Sequence, residues 1–210
     1  MEFDFNTLAP ADRYKLLGSS VTPRPIAWIT SQSAAGVRNA APFSFFNVMG
    51  ANPPLVALGL MRRQDGTHKD TPANILETGE FVVHLVSHAM AEAMNMTCID
   101  APPEYDEIDM AGLETVPSSL VTPPRLAGAP VAMECKLFQA IEAGTSTIVL
   151  GQVERFHIED AFINPERLHV DTLGMDLVAR MHGGGWYSRQ TDLFDMPRPS
   201  FADWQARQGD

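Results

Sequence analysis

Over much of this chain apolar and polar residues alternate with a period of two, the pattern of strands with one buried face. It is clearest at Val131, Met133, Cys135 and Leu137. Residues 147–158 read the same way, with Gly151 interrupting the run as a bulge or bend does. Residues 25–31, 37–47 and 54–60 predict three further strands. Glu80-Phe81-Val82-Val83-His84-Leu85-Val86, rich in β-branched and apolar residues, predicts another. Helical stretches are short. Residues 69–78 predict a helix with Thr71 as N-cap, Pro72 at the first helical position and Gly79 as terminator. Residues 89–98 carry helix-favouring Ala and Met, and residues 12–17 and 165–168 predict single helical turns. Residues 100–128, Pro-rich and acidic, predict a long loop with one helical turn. The expected fold class is therefore mainly β with short helices, a closed or nearly closed barrel with capping helices.

Length and composition narrow this picture. The 210 residues suit one domain with a sizeable core, placed at 1–195, followed by a polar tail at 196–210. That tail holds Trp204 and is expected to be either flexible or an arm laid on a partner subunit. No apolar run reaches the roughly 18–20 residues of a membrane span. The acidic start, Met1-Glu2-Phe3-Asp4-Phe5, lacks the basic and apolar regions of a secretory signal, so a cytoplasmic location is expected. A net charge of −11 argues against nucleic acid and against an anionic membrane surface as partners. The two cysteines, Cys98 and Cys135, are distant and in no CxxC pair, and both are expected to be small core residues. The six histidines are scattered without a ligand spacing, so no metal is expected. No Gly-x-Ser-x-Gly elbow and no dinucleotide fingerprint is present.

Two segments carry the candidate chemistry. Arg38-Asn39-Ala40-Ala41-Pro42-Phe43-Ser44-Phe45-Phe46-Asn47 combines small residues, polar groups and aromatics. Thr67-His68-Lys69-Asp70-Thr71-Pro72-Ala73-Asn74 places a cation and hydroxyl donors where a helix begins. A flat aromatic cofactor bearing a phosphate needs that combination, and FMN is the candidate. Lys69 offers the phosphate a point charge, and Thr71 with nearby backbone N–H groups completes an anion site. Asp70 is expected to turn away, pairing with Lys69 or capping backbone. Ala40 and Ala41 allow close approach to a flavin ring, and Pro42 leaves neighbouring backbone groups outside a regular ladder. Ser44 is a candidate donor. Phe45 and Phe46 point to opposite faces of a strand, so one of them at most meets the ring; Phe46 is the candidate. Trp28 reads as core.

The order of these pieces carries a resemblance. Arg24-Pro25-Ile26-Ala27-Trp28-Ile29-Thr30 comes first, then the segment 39–47, Asp65-Gly66, Lys69-Asp70-Thr71 and Asn74. Thr78-Gly79-Glu80-Phe81-Val82-Val83 follows, and residues 180–187 close it. The chain resembles the flavin reductase-like, flavoredoxin-type branch of the FMN-binding split-barrel proteins. That resemblance implies a six-stranded Greek-key barrel, a homodimer, and FMN at or near the subunit interface. It also places Arg24 beside the flavin and Thr30 and Ser31 near the ribityl chain or phosphate. His84 stands where a small polar residue such as Asn is expected. The closing segment is unusually Gly-rich, with His182 inserted.

The expected activity is NAD(P)H:flavin oxidoreduction, in which a hydride passes from NAD(P)H to flavin and on to an acceptor. Stacking geometry carries such a transfer, so no catalytic side chain is assigned. NAD(P)H is a transient co-substrate. The alternative is a non-enzymatic FMN electron carrier reduced by a redox partner protein, for which an acidic surface suits a basic partner. A third reading is a flavin-dependent enzyme acting directly on an organic substrate, with residues 100–128 and 172–188 long enough for a lid.

Overall fold

The computed structural model describes residues 1–208. Helix α1 (Pro10–Ser20) leads into strands β1 (Arg24–Pro25), β2 (Ala27–Gln32), β3 (Arg38–Phe43), β4 (Phe46–Ala51) and β5 (Pro54–Met61). Helix α2 (Asp70–Thr78) precedes β6 (Glu80–Leu85), α3 (Ala91–Met96) and α4 (Glu107–Met110). The small hairpin β7 (Thr115–Val116) and β8 (Arg125–Leu126) is followed by the long pair β9 (Val131–Ala143) and β10 (Ser146–Ile158). Two further hairpins, β11 (Ile163–Asn164) with β12 (His169–Val170) and β13 (Val178–Arg180) with β14 (Tyr187–Arg189), precede α5 (Phe201–Gln208).

One seven-stranded antiparallel sheet organises the fold, in the order β3-β2-β6-β9-β10-β5-β4. Its two edges are consecutive in sequence, because β3 ends at Phe43 and β4 begins at Phe46. Three residue steps span about 10 Å at most, so the edges cannot lie far apart and the sheet must roll into a barrel. The N–H of Gly59 on β5 donates to the carbonyl of Phe45 at 2.7 Å, fastening the joint. The run 37–47 is thus two strands broken at Ser44 and Phe45, and the implied six-stranded barrel has seven strands when the halves are counted separately.

Ala27, Ile29, Val56, Leu58, Phe81, Val83, Met133, Cys135 and Val149 fill the barrel, each from the inward face of its strand. Gly151 sits where the β9–β10 register shifts, as the sequence predicts. A Cβ at Gly151 would lie 2.3 Å from Cζ of Phe81, so the bare backbone makes room for that ring. Outside the barrel, Trp28 packs with Ile26, Ala40, Met94 and Ile108 beneath α3 and α4.

Several expectations change in detail. Residues 165–168 form the tight turn of the β11–β12 hairpin rather than a helical turn. Cys135 is in the core, but Cys98 is exposed just past α3. The predicted tail holds α5, whose exposed Phe201 and Trp204 rings stack with centroids 5.6 Å apart; residues 209 and 210 lie outside the described residues. Among the described residues, no helix is long and apolar enough to cross a membrane.

Candidate functional site

The first turn of α2 meets β3 at a cleft. Lys69, extended at ψ 168°, is the N-cap, so Asp70 and Thr71 hold the first two helical positions. Thr71 is therefore inside the helix rather than capping it. The N–H groups of a first turn have no intrahelical acceptor, and the helix dipole adds partial positive charge there. Asn39 Nδ2 donates to Thr71 Oγ1 at 2.9 Å, and Asn74 Nδ2 donates to Ser31 Oγ at 3.1 Å. Each hydroxyl oxygen is the acceptor in its pair and keeps its own proton to donate.

The cleft measures about 140 Å³ and is bounded by Asn39, Ala41, Pro42, Lys69, Asp70 and Thr71 on one side. Thr97, Cys98, Asp100 and Glu107 close the other. Lys69 Nζ lies 3.3 Å from Asp100 Oδ1, a half-exposed pair. Such a pair is weak, so the ammonium can exchange partners at little cost. Asp70 pairs with Arg63 at 3.1 Å instead of with Lys69. Glu107 is buried, and its Oε2 accepts the N–H of Ala40 at 3.3 Å. Burial raises its pKa; the Ala40 N–H offsets part of that rise, and the charges of Asp70 and Asp106 add to it.

The structure gathers Asn39, Ala41, Pro42, Lys69, Asp70 and Thr71 at this cleft, with Ser31 and Asn74 joined beneath α2. Other predicted residues lie elsewhere. Thr30 and Ser31 are adjacent on a strand and face opposite ways; the hydroxyl of Thr30 donates to the carbonyl of Pro124 at 2.6 Å. The methyl of Ala40 is packed with Trp28, leaving only its N–H toward Glu107. Phe46 is a correction: its ring is in the barrel core, because the break at Ser44 restarts the alternation, and the exposed ring is Phe45. Arg24 is buried at the end of α1, donating to the carbonyls of Gly18, Val21 and Met181 and to Ser44 Oγ.

Glu107, Cys98 and Asp100 were not anticipated at the site. Asp106 caps α4 by accepting from the N–H groups of Ile108 and Asp109, a readable helix start, but nothing local says where that turn docks.

A second set of buried polar groups lies on the other side of β6. His84 Nδ1 donates to the carbonyl of Trp28 at 2.9 Å, and Nε2 accepts the N–H of Leu126 at 2.9 Å. These partners fix the neutral tautomer, and burial lowers the pKa to about 4. Glu134, fully buried, accepts the N–H groups of Ser119 and Leu120 at 2.7 and 2.6 Å and lies 2.7 Å from His157 Nε2. Burial alone would raise its pKa; the two N–H groups and His157 outweigh that and lower it.

The flavin reductase like domain matches residues 18–172. The chain belongs to the flavin reductase like domain family. Nitrilotriacetate monooxygenase component B from Bacillus cereus is 34% identical with a TM-score of 0.89, the match covering 93% of this chain and 98% of that one. The 2-nitrobenzoate 2-nitroreductase NbaA of Pseudomonas fluorescens is also 34% identical, with a TM-score of 0.87 over 96% of this chain and 98% of that one. A split-barrel protein of flavin reductase type from Shewanella frigidimarina shares the fold, at 22% identity and a TM-score of 0.80 over 95% of this chain and all (100%) of that one. Membership of the family supports a flavin-related redox function.

The residues present fit a phosphorylated flavin. The cleft offers an ammonium, a helix N-terminus and a hydroxyl donor for an anion. From it β3 rises about 3.3 Å per residue, so the strand from Asn39 to Ser44 runs about 16 Å, room for an extended ribityl chain and ring. Small Ala41 and flat Pro42 line that path. The cleft holds only one end of such a ligand, since cofactor pockets measure about 300–1,000 Å³.

Proposed function

We propose that this protein is an FMN-dependent oxidoreductase that takes a hydride from NAD(P)H and passes the electrons on to an acceptor. The observation that carries the reading is the cleft where the Lys69 ammonium, the first turn of α2 and the Thr71 hydroxyl converge beside β3. When bound, FMN supplies the two-electron chemistry, and the chain supplies binding and orientation. Lys69, Thr71 and the first N–H groups of α2 hold the phosphate. Asn74, donating to Ser31 Oγ, and Asn39, donating to Thr71 Oγ1, keep α2 set against β2 and β3 and leave both hydroxyl protons free to donate. The backbone of β3 from Ala41 to Phe43, leading to Ser44, flanks the ring. No side chain here is needed as acid or base for the hydride itself.

The site opens sideways, and the same reading makes the protein a homodimer whose second copy covers it. Val48 and Met49 on β4, Phe138 and Ile141 on β9 and Phe156 on β10 are exposed, on strands from one half of the sheet. So much apolar surface is uncommon on a free monomer. The exposed rings of α5 suit an arm across the partner.

Absorbance of the freshly purified protein tests the reading. Flavin bands near roughly 370 and 450 nm that bleach anaerobically on adding NADH or NADPH are expected. Bound flavin that stays oxidised points to the electron carrier instead, and failure to take up FMN refutes the cofactor assignment.

A further inference from the structure

Arg24 and Arg180 are register partners across the β1–β13 pair. Like charges directly opposite in an antiparallel pair are destabilising unless something lies between them. Neither has a carboxylate within salt-bridge distance among the described residues, although the chain carries an excess of 11 negative charges. Arg24 is only 7% exposed, and its guanidinium rests on carbonyls at the end of α1 and on Met181. Arg180 donates to the carbonyl of Gly183 and lies over the ring of Tyr187 at 4.8 Å. A buried guanidinium held only by neutral groups retains a strong field for an anion.

Both arginines line a second cavity, between α1, the end of β5 and the β9–β10 turn. Arg13, which among the described residues bonds only the carbonyl of Leu8, lines it too. The cavity is about 910 Å³, and among the described residues no Asp or Glu borders it. Its apolar walls include Tyr14, Leu17, Phe45, Met61 and Met181, with the Tyr14 and Phe45 rings 6.0 Å apart. It shares no residue with the cleft at Lys69.

We propose that this cavity is a second binding site, for an organic carboxylate with an aromatic body, whose carboxylate is held by Arg180 and Arg13, with the buried charge of Arg24 adding to the field, and whose body lies against Tyr14 and Phe45. Carboxylates match the forked guanidinium in a way that a neutral ligand cannot, and an aromatic ring uses the apolar wall. The binding claim does not rest on the flavin reading. Where that reading holds, the neighbouring Ser44 and Phe45 put the site at the ring end.

The test is calorimetric titration of the full chain with 2-naphthoate and with 2-naphthamide, its uncharged counterpart of the same shape, with and without FMN. The carboxylate is expected to bind about 10-fold more tightly than the amide, whether or not FMN is present. Arg180→Gln and Arg13→Gln should each weaken 2-naphthoate several-fold and leave 2-naphthamide unchanged. Lys136→Gln, at an exposed cation of β9 that does not line the cavity, should change neither. Equal binding of acid and amide overturns the proposal, as does indifference to both arginine substitutions. Inorganic pyrophosphate that binds as tightly as 2-naphthoate and abolishes its binding heat would reassign the cations to phosphate and also overturn it. FMN uptake, read separately by absorbance, shows whether the flavin reading stands or falls on its own.

Discussion

Two groups of buried polar side chains flank the same strands and differ in what they leave unspent. Around His84 and Glu134 every donor meets an acceptor within the chain: both ring nitrogens of His84 are used, and Glu134 takes two N–H groups and His157. With Thr30 bonded to Pro124, these contacts pin the loop after β7 to the barrel. Around Thr71 the side chains are also bonded, at 2.9 and 3.1 Å, yet hydroxyl protons, helix N–H groups and an exchangeable ammonium remain. Burial of a polar group therefore does not mark a site. Unspent hydrogen-bonding capacity facing a cleft does, and the first group reads as architecture, the second as a place for a ligand.

Removing Glu134 tests the closed group most severely. Glu134→Leu strands two N–H groups and leaves His157 without its partner, which should cost about 4 kcal/mol of unfolding free energy. Urea unfolding measures this. FMN uptake per folded molecule should be unchanged, and a variant that unfolds normally but loses FMN would erase the distinction between the two groups.

The acid limb of stability is the next effect in size. The pKa of His84 is about 4 when folded and near the ordinary 6.5 when unfolded, so the unfolded chain binds the proton more readily between those values. Stability is then fully present above about pH 6.5 and falls as pH drops toward 4, by at most about 3 kcal/mol. Glu134, with its pKa lowered, adds a further loss only below the ordinary carboxylate range. His84→Asn should be less stable at pH 7 but lose less between pH 7 and 5. Parallel curves for the two proteins would show that His84 does not titrate as its burial demands.

At the open group the expected effects move from stability to binding. Lys69→Gln should weaken FMN about 10-fold, while the urea midpoint shifts by about 0.5 kcal/mol or less, because the pair with Asp100 is half exposed. Fluorescence quenching of FMN on titration gives the first quantity. Unaltered affinity would move the phosphate away from α2.

Much of this was legible in the chain itself. Alternation at Val131, Met133 and Cys135 located β9, because it is set by near neighbours, and the glycine at 151 marked the register shift even though the ring it makes room for, Phe81, is distant in sequence. The helix start at Lys69 and Thr71 was legible from residue types alone, and the fold brings Asn39 to the same cleft. What stayed hidden depended on distant partners. The apolar run Phe43 to Phe46 gives no local sign that Ser44 bends, and that bend decides that Phe46, not Phe45, enters the core. Asp70 has an adjacent lysine, yet the fold brings Arg63 to it. Thr30 looked equivalent to Ser31 until the loop at Pro124 claimed it.

Glu107 offers the smallest and sharpest test, because it stands in the open group but carries the wrong charge for a phosphate. Its carboxyl borders the cleft, buried against the Ala40 N–H, with Asp70 and Asp106 as charged neighbours and Lys69 as the nearest counter-charge among the cleft residues. A raised pKa means that it ionises as pH rises from mildly acidic values, and each ionised molecule then repels an anion in the cleft. Glu107→Gln keeps an oxygen for the Ala40 N–H and removes the charge. FMN should therefore bind the variant a few-fold more tightly than the wild type at pH 8, by about 1 kcal/mol or less, with the gap closing as pH falls through the raised pKa of Glu107. The phosphate of FMN itself titrates near pH 6, but identically with both proteins, so the ratio of affinities isolates Glu107. A ratio independent of pH would mean that the carboxyl is not ionising in the presence of ligand, and a ratio below one would make Glu107 a partner of the flavin rather than a brake on its phosphate.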